Sequence, residues 1–159
     1  MMAIRSVRTV LVLAVCIVVP MLVGGFSSML VRDQFAEYAK LSMPPGSPSA
    51  AVFPVAWTLL YIMMGVASFL IFYSSSETRW IILILYAVQL ILNFMWSPIF
   101  FNMHSYGLAA VILLVMFILI ATIIALATQV NTVAGWLLIP YAGWCIYALY
   151  LNIGVMVLN

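Results

Sequence analysis

Gln89, Asn93, Trp96 and Phe100 follow one another at offsets of four, three and four residues. On a helix that spacing puts two carboxamides, an indole and a phenyl ring on one face. The stretch IPYAGWCIYALYLN repeats the pattern with Tyr141, Trp144, Ala148 and Asn152, and in VFPVAWTLLY the residues Phe53, Trp57 and Tyr61 lie four apart. These side chains supply no strong acid, base or metal ligand. They supply flat aromatic faces and a few neutral hydrogen-bonding tips, which suits noncovalent binding of a large, flat, apolar molecule. The same residue types also serve purely structural ends, amides tying helices together and rings filling the core or gathering at membrane interfaces.

Other chemistries are poorly provided for. Asp33, Glu37 and Glu77 all fall outside the apolar segments, and no Lys or Arg lies within one except at its ends. Pumps and ion-coupled carriers place ionisable groups at membrane depth, so that class is disfavoured. His104 is the single histidine and has no acid or thiol beside it, which reads as an interfacial or capping residue. Cys16 and Cys145 sit in apolar runs without a CxxC or Cys/His neighbour, so neither a metal site nor a disulfide framework is expected. With a formal net charge of +2 and no Lys/Arg cluster, nucleic acid is not an expected partner. No cofactor is required by these residues.

The elements that must carry the stripes follow from hydropathy. Of 159 residues 69% are hydrophobic and only 5% charged, too little charge to cover a soluble domain. Five apolar segments, about 9–31, 51–73, 80–101, 106–128 and 133–158, each approach the ~20 residues that cross a bilayer. Backbone groups in lipid must be satisfied within the segment, so these are helices. The fold class is an all-α integral membrane protein, one domain over 1–159 built as a five-helix bundle. Three short connections make the later helices antiparallel neighbours. The one long loop, 32–50, carries Pro44, Pro45, Gly46 and Pro48, which resist regular helix.

The basic start MMAIRSVRTV followed by an apolar run also resembles a signal peptide, but the run is long enough to span and reads as the first helix. Arg5, Arg8 and Arg79 on the N-terminal side against Arg32 and Lys40 on the other favour a cytoplasmic N-terminus. Gly24, Gly25 and Ser28, and separately Ala121 and Ala125, are expected at close helix contacts. Trp80 and Trp136 read as interfacial belt residues, and Pro98 as the point where the third helix ends or bends.

Taken together, VFPVAWTLLY after a Pro-rich loop, QLILNFMWSPIFF, and WLLIPYAGWCIYALYLN resemble the TspO/MBR family. It is also called the translocator protein, tryptophan-rich sensory protein or peripheral-type benzodiazepine receptor family. The resemblance covers essentially the whole chain. It implies a homodimer and a pocket that opens toward the long first loop, with that loop, including Pro44 and Pro48, as a lid. The implied ligands are protoporphyrin IX and related tetrapyrroles, with sterols and synthetic isoquinolines or benzodiazepines in some members. Trp57, Asn93, Trp96 and Trp144 match pocket-lining positions, and Tyr61, Gln89, Tyr141, Ala148 and Asn152 match motif positions nearby. Arg32 and Lys40 are the nearest cations for porphyrin propionates. A light-driven, Trp-dependent porphyrin-degrading enzyme using Trp57 and Trp144, or a facilitative carrier, are the alternatives to a binding and sensing role. The compactness of the chain favours a bacterial or archaeal cell membrane over an organelle outer membrane. The chain departs from the pattern in two places. Met43, Gly46, Ser47 and Ala51 stand in a loop that often carries Trp in relatives, and the ending LNIGVMVLN lacks the basic residue of the sterol-recognition pattern.

Overall fold

The computed structural model describes the backbone of residues 2–34 and 40–159 and the side chains of residues 7–34 and 40–159. The side chain of Arg5, the residue Glu37 and the middle of the 32–50 loop therefore lie outside the described residues. Among the described residues five α-helices form: α1 (Met2–Leu30), α2 (Val52–Phe72), α3 (Thr78–Ser97), α4 (Tyr106–Val130) and α5 (Thr132–Leu158). All five are long and apolar enough to span a bilayer. The protein is a multi-pass integral membrane protein whose outward Val, Leu and Ile side chains meet lipid.

The helices close into a ring in the order α1, α2, α5, α4, α3, with α2 and α3 also touching across it. The tightest pair, α4 and α5, is joined by Asn131 alone. Its backbone is extended (φ −152°, ψ 107°), which breaks the helix, and its side chain accepts a hydrogen bond from the Ala134 N–H at 3.1 Å to start α5. At Gly135 an added Cβ would sit 2.2 Å from Thr128 Cγ2 and 3.1 Å from the Thr128 backbone nitrogen, so this reversal needs glycine.

Two prolines leave carbonyls without their helical donors, and for Pro98 a partner helix replaces the donor. Pro98 removes the N–H that would have bonded the Phe94 carbonyl. Ser27 of α1 supplies the missing donor, its Oγ donating to Phe94 O at 2.8 Å. The α-helix ends at Pro98, as expected, and the chain continues through one π-helical turn, Pro98–Asn102, closed by the Met103 N–H on Pro98 O at 3.0 Å. In α1, Pro20 frees the Cys16 carbonyl in the same way. There α2 approaches backbone to backbone at Gly65, where a Cβ would lie 2.5 Å from Ile17 Cα and 2.7 Å from Cys16 O.

The expected small-residue contacts are only partly where the sequence put them. Gly24 does permit contact, since its Cβ would overlap the Tyr61 ring at 2.1 Å. Gly25 has open space beside it, Ser28 is exposed, and Ser27 is the buried serine. Ala121 and Ala125 face outward, while Ala127 is buried. Trp80 and Trp136 are both exposed.

Candidate functional site

The three stripes converge. From α3, Gln89 and Asn93 point into the bundle and are buried; Tyr61 from α2 and Tyr141 from α5 meet them there. A single hydrogen-bonded chain links the four. Tyr61 Oη donates to Asn93 Oδ1 at 2.8 Å, Asn93 Nδ2 donates to Tyr141 Oη at 3.1 Å, and Tyr141 Oη donates to Gln89 Oε1 at 2.7 Å. Each carboxamide thus satisfies a phenol on another helix, which is how a polar group is tolerated away from water. The Gln89 Nε2 has no partner among the described residues. The crevice beside it, between Tyr86, Ile120, Ile123 and Leu138, has a volume of about 0 Å³ for a water-sized occupant, so the region is dry.

The aromatic residues pack on the loop side of this chain. Trp57 stacks on Tyr61 with centroids 5.3 Å apart, and meets Tyr141 and Trp144 edge-on, each at 6.2 Å. Phe53 meets Trp144 at 6.0 Å. Phe53, Trp57 and Trp144 are half-buried, unlike the tyrosines beneath them. The rings pack against one another between the helices, so the stripes form a filled cluster where the family resemblance implies a pocket.

A second polar layer lies closer to the loop. Trp96 Nε1 donates to Asn152 Oδ1 at 3.2 Å, and Asn152 Nδ2 donates to Tyr106 O at 2.7 Å. Phe100 stacks on Trp96 at 5.3 Å and leans on Tyr106 at 5.0 Å. Ala148 is half-buried against the core, one turn from both Trp144 and Asn152. Apart from the lid prolines Pro44 and Pro48 of the loop, the stripe residues therefore lie on the inner side of α2, α3 or α5 or in the π-helical turn. They divide into two layers.

The loop is strapped onto α5. Tyr147 Oη donates to Gly46 O at 2.7 Å and Tyr150 Oη to Pro45 O at 2.8 Å. The Asn159 carboxamide pairs with both backbone groups of Ser42, accepting from its N–H at 2.9 Å and donating to its carbonyl at 3.1 Å. Pro44 is buried against Gly154, where a Cβ would come within 2.4 Å of the proline ring; Pro48 is half-buried. Tyr147, Tyr150 and Gly154 follow offsets of three and four along α5, a spacing the stripe reading did not single out, and Asn159 carried no such signal.

A cavity of about 190 Å³ opens on the loop side, lined by Gln34, Lys40, Phe100, Phe101, His104 and Tyr106, with Leu41 beside them. Arg32 lies exposed in a short 3-10 turn, Arg32–Gln34, and does not line this cavity. Cys145 is buried and unpaired, Cys16 half-buried, and no group of three His, Cys, Asp or Glu residues is placed to hold a metal among the described residues.

Comparison with known proteins agrees with this architecture along its length. The chain is 36% identical to the Tryptophan-rich protein TspO of Chlorobaculum tepidum over 158 residues, covering 96% of this chain and 98% of that protein. It is 36% identical to the Tryptophan-rich sensory protein of Cereibacter sphaeroides, covering 83% and 81%, and 37% identical to the Translocator protein of Ovis aries, covering 81% and 79%. The TspO/MBR family profile matches residues 15–158. The chain belongs to the TspO/MBR family.

Proposed function

We propose that the protein is a membrane-embedded binding protein for protoporphyrin IX and other flat, apolar ligands, acting in sensing or translocation, as the names of its relatives suggest. One observation carries this reading. Trp57, Trp144 and Phe53 are held edge to face and half-buried, over a floor of neutral phenols and carboxamides contributed by three helices. A macrocycle face can replace ring–ring contacts with ring–macrocycle contacts of the same kind, so opening this cluster loses little that the ligand does not return. The floor supplies hydrogen bonds and no charge, as befits a ligand with an apolar body. On this reading the rings part to admit the macrocycle. A homodimer belongs to the same proposal on the strength of the family resemblance.

The test is titration of the purified protein with protoporphyrin IX, followed by quenching of tryptophan fluorescence. Trp80, Trp96 and Trp136 remain as reporters in a Trp57→Phe/Trp144→Phe variant. That variant is expected to bind more weakly; equal affinity in variant and parent would remove the cluster from the site. Repeating the titration under illumination distinguishes retention of the porphyrin from its Trp-dependent breakdown. Loading into proteoliposomes distinguishes binding from passage across the membrane.

A further inference from the structure

Pro45 and Gly46 form a tight turn that carries its own closure. Gly46 has φ 80°, the conformation that a type II turn with proline at its second position requires of its third residue. The Ser47 N–H donates to Pro44 O at 3.3 Å, and the Ser47 hydroxyl donates to the same oxygen at 2.7 Å. The carbonyls of Pro45 and Gly46 are left for partners outside the turn, and each takes one phenol of α5. The turn can therefore leave α5 without unfolding, at the cost of those two bonds.

The two phenols differ in what lies behind them. Tyr147 is one helical turn from Trp144, and its ring meets the indole edge-on with centroids 5.6 Å apart. Trp144 in turn meets Trp57 and Phe53. A continuous row of contacts thus runs from the aromatic cluster through the Tyr147 ring to the Gly46 carbonyl. Tyr150 bonds Pro45 O but is exposed, and among the described residues its ring makes no contact with the cluster. A phenol ring moves as one rigid plate with its hydroxyl. From 2.7 Å, a retreat of the Tyr147 hydroxyl by roughly 1 Å takes it out of hydrogen-bonding range.

The geometry points to Tyr147 as a positioning residue that couples occupancy of the aromatic cluster to the attachment of the Pro45–Gly46 turn. This inference rests on the reading above, in which Trp57 and Trp144 part around a flat ligand. When Trp144 shifts, the ring against it shifts too and Gly46 is released, so the occupied form holds the turn through Tyr150 alone. The turn thus has two arrangements, tethered and released, and both the ligand and the strap bias them. The loop face then differs between empty and occupied protein, which is the output a sensing role requires. Linkage fixes the reverse effect. A bond lost on binding opposes the ligand, so removing that bond in advance tightens binding.

The experiment titrates protoporphyrin IX against the full chain in nanodiscs of uncharged phospholipid, for the parent, Tyr147→Phe and Tyr150→Phe. It records the affinity together with deuterium uptake by the amides of residues 42–49. Both variants keep their rings and lose only a bond to the loop backbone, so the bundle should remain folded. In the parent, saturating porphyrin should raise uptake over the loop. Tyr147→Phe should take up more deuterium without ligand, gain little when ligand is added, and bind about two- to tenfold more tightly, the worth of one net hydrogen bond. Tyr150→Phe should also take up more without ligand, yet keep the parent's affinity and its response to porphyrin. A strap with a purely structural role would raise uptake in both variants alike and leave both affinities unchanged. That outcome, or uptake in the parent that stays level or falls on binding, or equal affinity shifts in the two variants, overturns the coupling and leaves the porphyrin reading standing. Failure of the parent to bind porphyrin overturns both.

Discussion

Replacing Tyr141 by Phe is the most direct perturbation of the buried polar chain. The side chain is 1% exposed and its hydroxyl makes two interhelical bonds, to Gln89 and from Asn93. Phenylalanine keeps the ring against Trp57, so packing changes little and the loss is confined to hydrogen bonding. Interhelical bonds of this kind in membrane proteins contribute on average about 0.6 and at most about 1.7 kcal/mol each. Two of them, with a Gln89 carboxamide left without any partner in a dry crevice, put the cost at roughly 1–3 kcal/mol. For a chain of this length a loss of about 1 kcal/mol lowers the melting temperature by about 2–4 °C, so a drop of several degrees is expected. Melting of the purified protein, followed by near-ultraviolet circular dichroism, measures it. A second substitution supplies the discriminating arm. Gln89→Leu removes the orphaned Nε2 together with the acceptor, and an apolar pair can be nearly neutral where a half-satisfied polar pair is not. Tyr141→Phe/Gln89→Leu should therefore melt above Tyr141→Phe alone. A single variant within about a degree of the parent, or a double variant showing the plain sum of the two single losses, would refute the account of the chain as coupled.

Gly65→Ala is expected to destabilise by roughly 1–3 kcal/mol or more, because its methyl group meets α1 backbone atoms at 2.5 and 2.7 Å. Trimming the facing side chain with Ile17→Ala should not restore the melting temperature, and full recovery would contradict a backbone contact. Ser27→Ala should cost about 1 kcal/mol by leaving Phe94 O without its donor, and less when combined with Pro98→Ala, which returns a helical N–H to that carbonyl. Thermal melts of the two singles and the double decide it, and a purely additive double would count against the link. Gly154→Ala displaces Pro44 and loosens the loop, so the Ser42 amide, bonded to Asn159, should exchange faster with deuterium while amides of the α2–α3 core keep the parent's rates.

The spans were legible because sustained hydropathy is a one-dimensional property, and so was the inward face of any helix whose apolar run is broken by amides. Gln89 and Asn93 orient α3, and Asn152 does the same for α5. Helix α1 offers no such marks between Val10 and Phe26, and the serine chosen as its contact, Ser28, faces out while its neighbour Ser27 faces in. One residue of error turns a helix by about 100°, enough to exchange the two faces. Pro98 shows a different limit. That it breaks a hydrogen bond follows from its ring alone, but how the freed carbonyl is satisfied depends on whether a donor stands nearby, and the Ser27 hydroxyl is 67 residues away in sequence. The strap between loop and α5 is equally nonlocal, since Tyr147, Tyr150 and Asn159 find their acceptors more than 100 residues upstream. The pocket that the family resemblance implies is not legible from the stripes themselves. Periodicity reports that rings face one another, and only side-chain volumes in three dimensions decide whether they leave a gap.

A filled cluster changes what affinity measures. On the reading proposed above, the form that accepts a macrocycle is a minor one in which Trp57 and Trp144 have parted, and apparent affinity is the intrinsic affinity scaled by its population. Interactions present only in the closed form oppose the ligand, while those kept in both forms are neutral to it. The phenol–amide chain lies beneath the rings and ties α3 to α2 and α5. If parting the rings also stretches that chain, Tyr141→Phe should weaken the fold and tighten porphyrin binding together. If the rings part above an intact floor, the melting temperature should fall while the affinity stays where it was. Measuring both quantities on one variant therefore locates the hinge of opening, either within the buried chain or above it.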